Sequence, residues 1–333
     1  MNYYKTIGII IASALIWYFL PEKISYSAPE KSIRTVVDKT PNSKYQKADS
    51  LYQQYQSLKE TDFDKASKLL INGIQVLKEA KKDSSENTLL IQMYQSLYHD
   101  IYDTTEDIDT VLITALEVYH IPKIENSDPN IYAKLCSDIA SMNSIIGNQE
   151  ETIKWYQKAI DIFNRSSPKN YSKIGLGYNN LAYAYNEIGY THQVIKNYEK
   201  AHLTWFIHCH NYIDYNSTVL QNLINNYIDY GDLKSAEKYL KKFNTYFSKT
   251  INPQNLAIEK MIYNDSTIDA TYNNLKSNIN FNIVINQLEL AQSYIEKMKM
   301  LHDASSKEQQ ESHANYLFSC IEYLGLEYKN LKQ

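Results

Sequence analysis

The densest cluster of side chains able to bind a metal or act as a nucleophile is His202, His208, Cys209 and His210. Imidazoles and thiolates are the usual zinc ligands, so metal binding is the chemistry this cluster would offer. Its spacing argues against that use. Successive helical residues point about 100° apart, so His208, Cys209 and His210 converge on one ion only if a helix ends there, and no second Cys or His pair completes a ligand set. The cluster reads as a polar helix end with a small buried thiol. Cys136 and Cys320 lie on apolar stripes, and three cysteines without close spacing define no disulfide framework. The sequence also holds no nucleophile elbow, phosphate-binding Gly loop or HExxH helix. The expectation is a non-enzymatic chain with no metal and no cofactor.

The elements that carry these residues follow from two scarcities. With 8 Gly and 7 Pro in 333 residues, the chain is far below the average of about 7% and 5%. Folds with many tight β-turns need more of both, so sandwiches and barrels are excluded and an all-α chain is expected. An apolar share of 44% supports a sizeable core. A net charge of −4 and a pI near 6.1 give no basic field for nucleic acid, which is excluded as a partner.

Self-similarity organises the helices. The segment Tyr178 to Ala201 places large residues at Tyr178, Leu181 and Tyr185, a small one at Ala182, a turn glycine at Gly189, then Val194, Tyr198 and Ala201. The same offsets recur at Cys136, Ile139, Ala140, Gly147, Thr152, Tyr156 and Ala159, with Asn143 in the aromatic's place. They recur again at Leu220, Leu223, Ile224, Tyr227, Gly231, Ala236, Leu240 and Phe243. Gly147, Gly189 and Gly231 stand 42 residues apart. This pattern resembles the tetratricopeptide repeat, whose usual period is about 34. The resemblance implies a right-handed superhelical solenoid of antiparallel helix pairs with a period of about 42 residues and a C-terminal helical cap. Longer helices or longer links would absorb the extra residues, with Asp128-Pro129, Ser167-Pro168 and Asn216 as candidate helix starts.

In this family the groove is lined two, five, nine, twelve and thirteen residues into each repeat. By that resemblance the groove residues are Lys134, Ser137, Ser141 and Ser144, then Asn179, Tyr183, Asn186 and Glu187, then Gln221, Asn225 and Asp229. Carboxamides suit an extended peptide, because one side chain offers a donor and an acceptor to a main-chain amide. Tyr156, Tyr178, Tyr185, Tyr198 and Tyr227 occupy packing positions and are expected in the core. A basic clamp for a carboxyl terminus is not evident, Lys134 being the one candidate.

Three good repeats cover residues 128–250, degenerate helix pairs 44–127, and C-terminal helices 251–333. The last include Leu256 to Tyr263, a segment from Thr267 to Leu301 with a candidate break, and Lys307 to Leu331, where Leu317, Phe318, Ile321, Leu324 and Tyr328 form one apolar stripe. Residues 29–43 read as a linker. Residues 1–28 read as a signal peptide or membrane anchor: Ile7 to Leu20 is a 14-residue apolar run, about 21 Å as a helix and short of the roughly 30 Å hydrocarbon core. Small residues before Ala28 suit a signal peptidase. Lys23, Lys31 and Arg34 after the run oppose the usual charge rule for translocation and keep an anchor with a cytoplasmic body open. The expectation is an exported or membrane-tethered scaffold, periplasmic or anchored in the inner membrane, that holds a protein or peptide in its groove. The alternative is a cytoplasmic peptide-responsive regulator, since bacterial peptide-pheromone receptors are similar in using such repeats.

Overall fold

A computed structural model describes residues 43–80, 83–209, 213–250 and 265–330. The expected signal segment, most of the linker, His210 and the helix expected at Leu256 to Tyr263 lie outside the described residues. Within them the chain is all-helical, in thirteen α-helices and one short 3-10 turn at Ile124–Asn126. In chain order they are α1 (Ser43–Leu58), α2 (Phe63–Lys78), α3 (Ser84–Thr105), α4 (Ile108–Tyr119), α5 (Pro129–Ile145), α6 (Gln149–Arg165), α7 (Tyr171–Glu187), α8 (Thr191–His208), α9 (Ile213–Asp229), α10 (Leu233–Thr250), α11 (Asp265–Val284), α12 (Leu288–Ala304) and α13 (Lys307–Asn330). No helix among the described residues is long and apolar enough to cross a membrane.

Local sequence sets the helix starts. Asp62, Asp83, Asp107, Asp128 and Asn170 each accept a backbone N–H of the first turn, and Asp83 with Glu86 closes a reciprocal capping box. Pro129 takes the first position of α5 as its sequence predicts. Two expected starts differ. Asn170 rather than Ser167 caps α7, and Asn216 lies inside α9, where its Oδ1 meets His202 Nδ1 at 2.8 Å.

The repeat turns share one geometry. Gly147, Gly189 and Gly231 have φ of 82°, 75° and 82°, a left-handed conformation that costs a Cβ-bearing residue more. After each glycine a backbone N–H reaches back to the carbonyl five residues earlier: Asn148 to Asn143, Tyr190 to Tyr185, Asp232 to Tyr227. A fourth turn of the same kind joins α11 to α12. Asn286 stands there at φ 59°, and Gln287 N–H donates to the Asn282 carbonyl at 2.8 Å. Asn tolerates this conformation through its short polar side chain. The candidate break between Thr267 and Leu301 is therefore a true repeat turn. Helices of 17 or 18 residues from α5 to α10, with a five-residue link at 166–170, absorb the extra length.

Each pair buries its apolar stripe on its neighbours, giving cores centred on α1–α6, on α7–α10 and on α11–α13. Tyr156 and Tyr198 are buried as their repeat positions predict, while Tyr178, Tyr185 and Tyr227 are part-buried against the same cores. Asn143 is buried and donates to the Ile139 carbonyl at 2.9 Å, which lets an amide replace an aromatic ring. At Gly175 an added Cβ would lie 2.4 Å from the Trp205 indole, so its bare backbone lets α8 pack close on α7. In α13 the expected single stripe is two faces: Leu317, Cys320 and Leu324 are buried, while Phe318 and Ile321 are 65% and 45% exposed.

Candidate functional site

The groove face expected from the repeat resemblance falls on the first helix of each pair, α1, α3, α5, α7, α9 and α11. In the first half the groups around Asp100 and Asp138 satisfy one another, although Asn87 on α3 keeps a buried Oδ1 without a partner. The Tyr52 hydroxyl pairs with Ser96 Oγ at 2.9 Å, and the Tyr55 hydroxyl donates to both Asp100 oxygens at 3.0 Å. One step on, Asp138 accepts from the Tyr98 hydroxyl, from Gln95 Nε2 at 3.0 Å and from Lys134 Nζ at 3.1 Å. Burial is the main cause that raises the Tyr55, Tyr98 and Asp100 pKa values, and the carboxylates beside the two phenols add to it. These tyrosines remain neutral donors.

The residues expected to line the groove on α5 join this closed network. Lys134 spends its charge on Asp138. Ser141 is buried and bonds both the Ser137 carbonyl at 3.1 Å and the Tyr156 hydroxyl at 2.9 Å. Ser137 is half-buried, and the Ser144 carbonyl accepts the turn N–H of Gly147.

The second half is different. Asn179 donates through Nδ2 to Asn180 Oδ1 at 3.1 Å, while its Oδ1 is buried without a partner. Gln221, at the equivalent position 42 residues on, is 6% exposed, and its Nε2 has no partner. A buried polar atom left unsatisfied costs about 1–3 kcal/mol. Tyr183 is 37% exposed, and burial, then Glu187, raises its pKa. Asn186 and Glu187 are exposed at the end of α7. Asn225 accepts from Asn280 Nδ2 at 3.2 Å, and Asp229 is exposed.

That last bond leads to residues the sequence reading missed. Counted from Asn286 as the turn, groove positions two, five and nine of the fourth pair are Asn273, Lys276 and Asn280. Asn273 donates to Ser217 Oγ and Thr218 Oγ1 at 3.1 and 3.2 Å, and its Oδ1 is buried without a partner. Lys276 makes no ion pair among the described residues; its Nζ lies 4.8 Å from the Tyr316 ring centre, and burial lowers its pKa. Asn274 and Asn278 both donate to Asn244 Oδ1, at 2.8 and 3.0 Å. Carboxamides therefore replace aliphatic side chains along the sides of α11. The signal available in sequence was Asn at the turn.

The histidine and cysteine cluster disperses. His202 is buried against Asn216, and burial lowers its pKa. His208 stacks on Tyr171 at 3.7 Å, and Cys209 ends α8. No group of three or more potential ligands for a metal occurs among the described residues. Burial pushes the Cys136 and Cys320 thiols up to about 12 and about 11, which disfavours the reactive thiolate.

No protein-family model matches the sequence, and no curated protein matches it. Solved structures do share its backbone. A signal transduction ATPase with numerous domains and a tetratricopeptide repeat sensor, from Pyrococcus horikoshii, superposes with a TM-score of 0.52 at 16% identity. The match covers 74% of this chain and 36% of the ATPase. The apo form of RapI gives 0.48 at 12% identity over 85% of this chain and 99% of that one. BtubC from P. vanneervenii gives 0.44 at 14% identity over 79% and 92%.

Proposed function

Because the chain is a tetratricopeptide-like helical solenoid, we propose that it is a non-catalytic scaffold that holds an extended protein or peptide segment in the second half of its groove. The observation that carries this reading is the pair Asn179 and Gln221. At equivalent positions on neighbouring first helices, one leaves an acceptor and the other a donor buried and unsatisfied. A peptide main chain offers both complements at every residue, so it satisfies these atoms independently of its own side chains. Tyr183 adds an adaptable aromatic contact, and Lys276 adds a cation with no carboxylate partner among the described residues. The mechanism is main-chain hydrogen bonding on a stiff frame, with specificity from side chains that meet Tyr183 and Lys276.

Short random peptides displayed on phage and selected on the full-length chain test the reading. Replacing Asn179, Gln221 and Asn225 together by Ala is expected to abolish capture of the selected peptides while far-UV helicity persists. Undiminished capture would place binding elsewhere.

The apolar run at Ile7 to Leu20 supports an exported or membrane-tethered setting for this activity. A mature amino terminus at or near Ala28 is the result expected for export. An intact Met1 on a cytosolic protein favours the intracellular regulator instead.

A further inference from the structure

Seven glycines fall among the described residues, and six of them have a reason inside the chain. Gly147, Gly189 and Gly231 hold left-handed turns, and at Gly73, Gly175 and Gly177 an added Cβ would collide with Met93, Trp205 and Ile160. Gly325 has neither reason. It stands in the interior of α13 without a positive φ, is exposed, and an added Cβ there would meet nothing within 4 Å. Glycine in an exposed helix interior costs stability relative to ordinary residues. A bare backbone at such a place serves a close approach from outside the chain.

The surface around Gly325 is a stripe suited to another helix. Glu311, Ala314, Phe318, Ile321, Gly325 and Tyr328 follow the alternating three- and four-residue spacing by which one side of a helix packs on a second. None of the six is buried, and Phe318 and Ile321 are among the exposed large apolar residues of the chain. Tyr328, at the edge of the stripe, donates to Gln292 Oε1 of α12 at 3.5 Å. The side that holds α13 to its own chain is a different one: Leu317, Cys320 and Leu324 join the core of α11 and α12.

This stripe is complementary to itself when reversed. Turned end for end about a two-fold axis between Ile321 and Glu322, a second α13 sets each Phe318 over the other's Gly325 and each Ala314 beside the other's Tyr328, so large side chains meet small ones. The two Ile321 side chains meet at the centre. Glu311, near one end, comes within a turn of Lys329 of the second copy, which places opposite charges together at both ends of the pair. A parallel pairing would oppose like charges, set Phe318 on Phe318 and leave a gap at Gly325. We propose that the stripe is a homodimer interface, in which the C-terminal helices of two copies pack antiparallel with Phe318 of each seated on Gly325 of the other. From Glu311 to Lys329 the stripe is about 27 Å long. A contact of one helix pair stands at the small end of specific interfaces, so association is reversible.

The test is sedimentation of the full-length chain over a rising concentration series. The natural chain is expected to shift from the mass of one copy to that of two, and Gly325→Leu, which fills the place of Phe318, is expected to weaken that association at least about tenfold. Leucine favours helix more than glycine, and an added Cβ meets nothing within the chain, so this variant keeps its fold and a lost dimer is not a lost helix. Joining it with Phe318→Ala moves the large side chain across the seam and is expected to restore part of the affinity. Cysteine cross-linking, with the natural chain as blank, reads the register: Ile321→Cys joins to itself, whereas Phe318→Cys joins to Gly325→Cys in a mixture and not to itself. A single-copy mass at every concentration overturns the proposal. So does a dimer that Gly325→Leu leaves intact, or one in which Phe318→Cys joins to itself as readily as to Gly325→Cys. Peptide capture plays no part in this test, so its outcome is separate from that of the groove reading.

Discussion

The first helices α1, α3 and α5 and the first helices α7, α9 and α11 use the same helix-pair frame but differ in how the polar groups at the expected groove positions are paired. In the first, Tyr52 with Ser96, Tyr55 with Asp100, and Tyr98 and Gln95 with Asp138 are paired across neighbouring helices, and Lys134 pairs with Asp138 along α5. In the second, Asn179 and Gln221 keep buried atoms unpaired, and Asn225 is held only by another carboxamide. A seam whose carboxylates and phenols are paired contributes stability and has little left to offer a ligand, Asn87 Oδ1 on α3 being its unsatisfied exception. An under-satisfied seam sacrifices stability, and such a local cost is expected where binding recovers it. On the function proposed above, the difference gives structural duty to the first half and recognition to the second.

The largest expected effect that sharpens this contrast is at Asp138. Asp138→Ala strips the partners of Tyr98, Gln95 and Lys134 at once and leaves a buried phenol without an acceptor. We expect unfolding free energy to fall by about 3 kcal/mol in chemical denaturation, with peptide capture unchanged. Loss of capture at equal helicity would break the assignment, because it would put recognition in the first half as well.

A smaller effect is expected at His202, in the second half. Burial holds its folded pKa below the usual 6.5, outweighing the upward pull of its bond to Asn216. The unfolded chain then binds the extra proton first, so the neutral ring contributes stability that is present above pH 6.5 and is lost as pH falls toward the lowered folded value. His202→Gln is expected to flatten the decline in thermal midpoint between neutral and mildly acidic pH. An unchanged decline would exclude His202 as its source; His99 in the first half, also lowered by burial, contributes in the same direction.

Much of this frame was legible in the sequence. Gly147, Gly189 and Gly231 stand at left-handed turns, and the residues at their offsets form the cores of α5 to α10. The helical segment from Thr267 to Leu301 and its candidate break were legible, but that it forms a fourth repeat pair was not, for two physical reasons. Asn286 fills the turn that glycine marks elsewhere, and α11 buries Asn273, Asn274, Ser277, Asn278 and Asn282 among its apolar residues, which blurs the repeat pattern of large and small apolar positions. Repeat offsets located Asn179, Gln221 and Asn225 on the groove helices, but not which atoms are engaged. That is decided by partners distant in sequence, as when Asn280 bonds Asn225 or Tyr156 bonds Ser141. The two faces of α13 were hidden for the same reason: the spacing of Leu317, Phe318, Ile321 and Leu324 suggested one stripe, and only the packing separates the sides.

The central claim is that Gln221 trades stability for recognition, and Gln221→Met tests it most directly because the side chain keeps its length and loses the unsatisfied amide. Thermal unfolding of the natural chain and of Gln221→Met, each with and without a peptide selected on the natural chain, reads both quantities at once. The account predicts that the variant alone unfolds at a higher temperature, with a gain of about 1 kcal/mol, and that peptide raises its midpoint less than it raises that of the natural chain. A variant that unfolds earlier and gains the full peptide-induced rise would contradict the account and make Gln221 an ordinary packing residue.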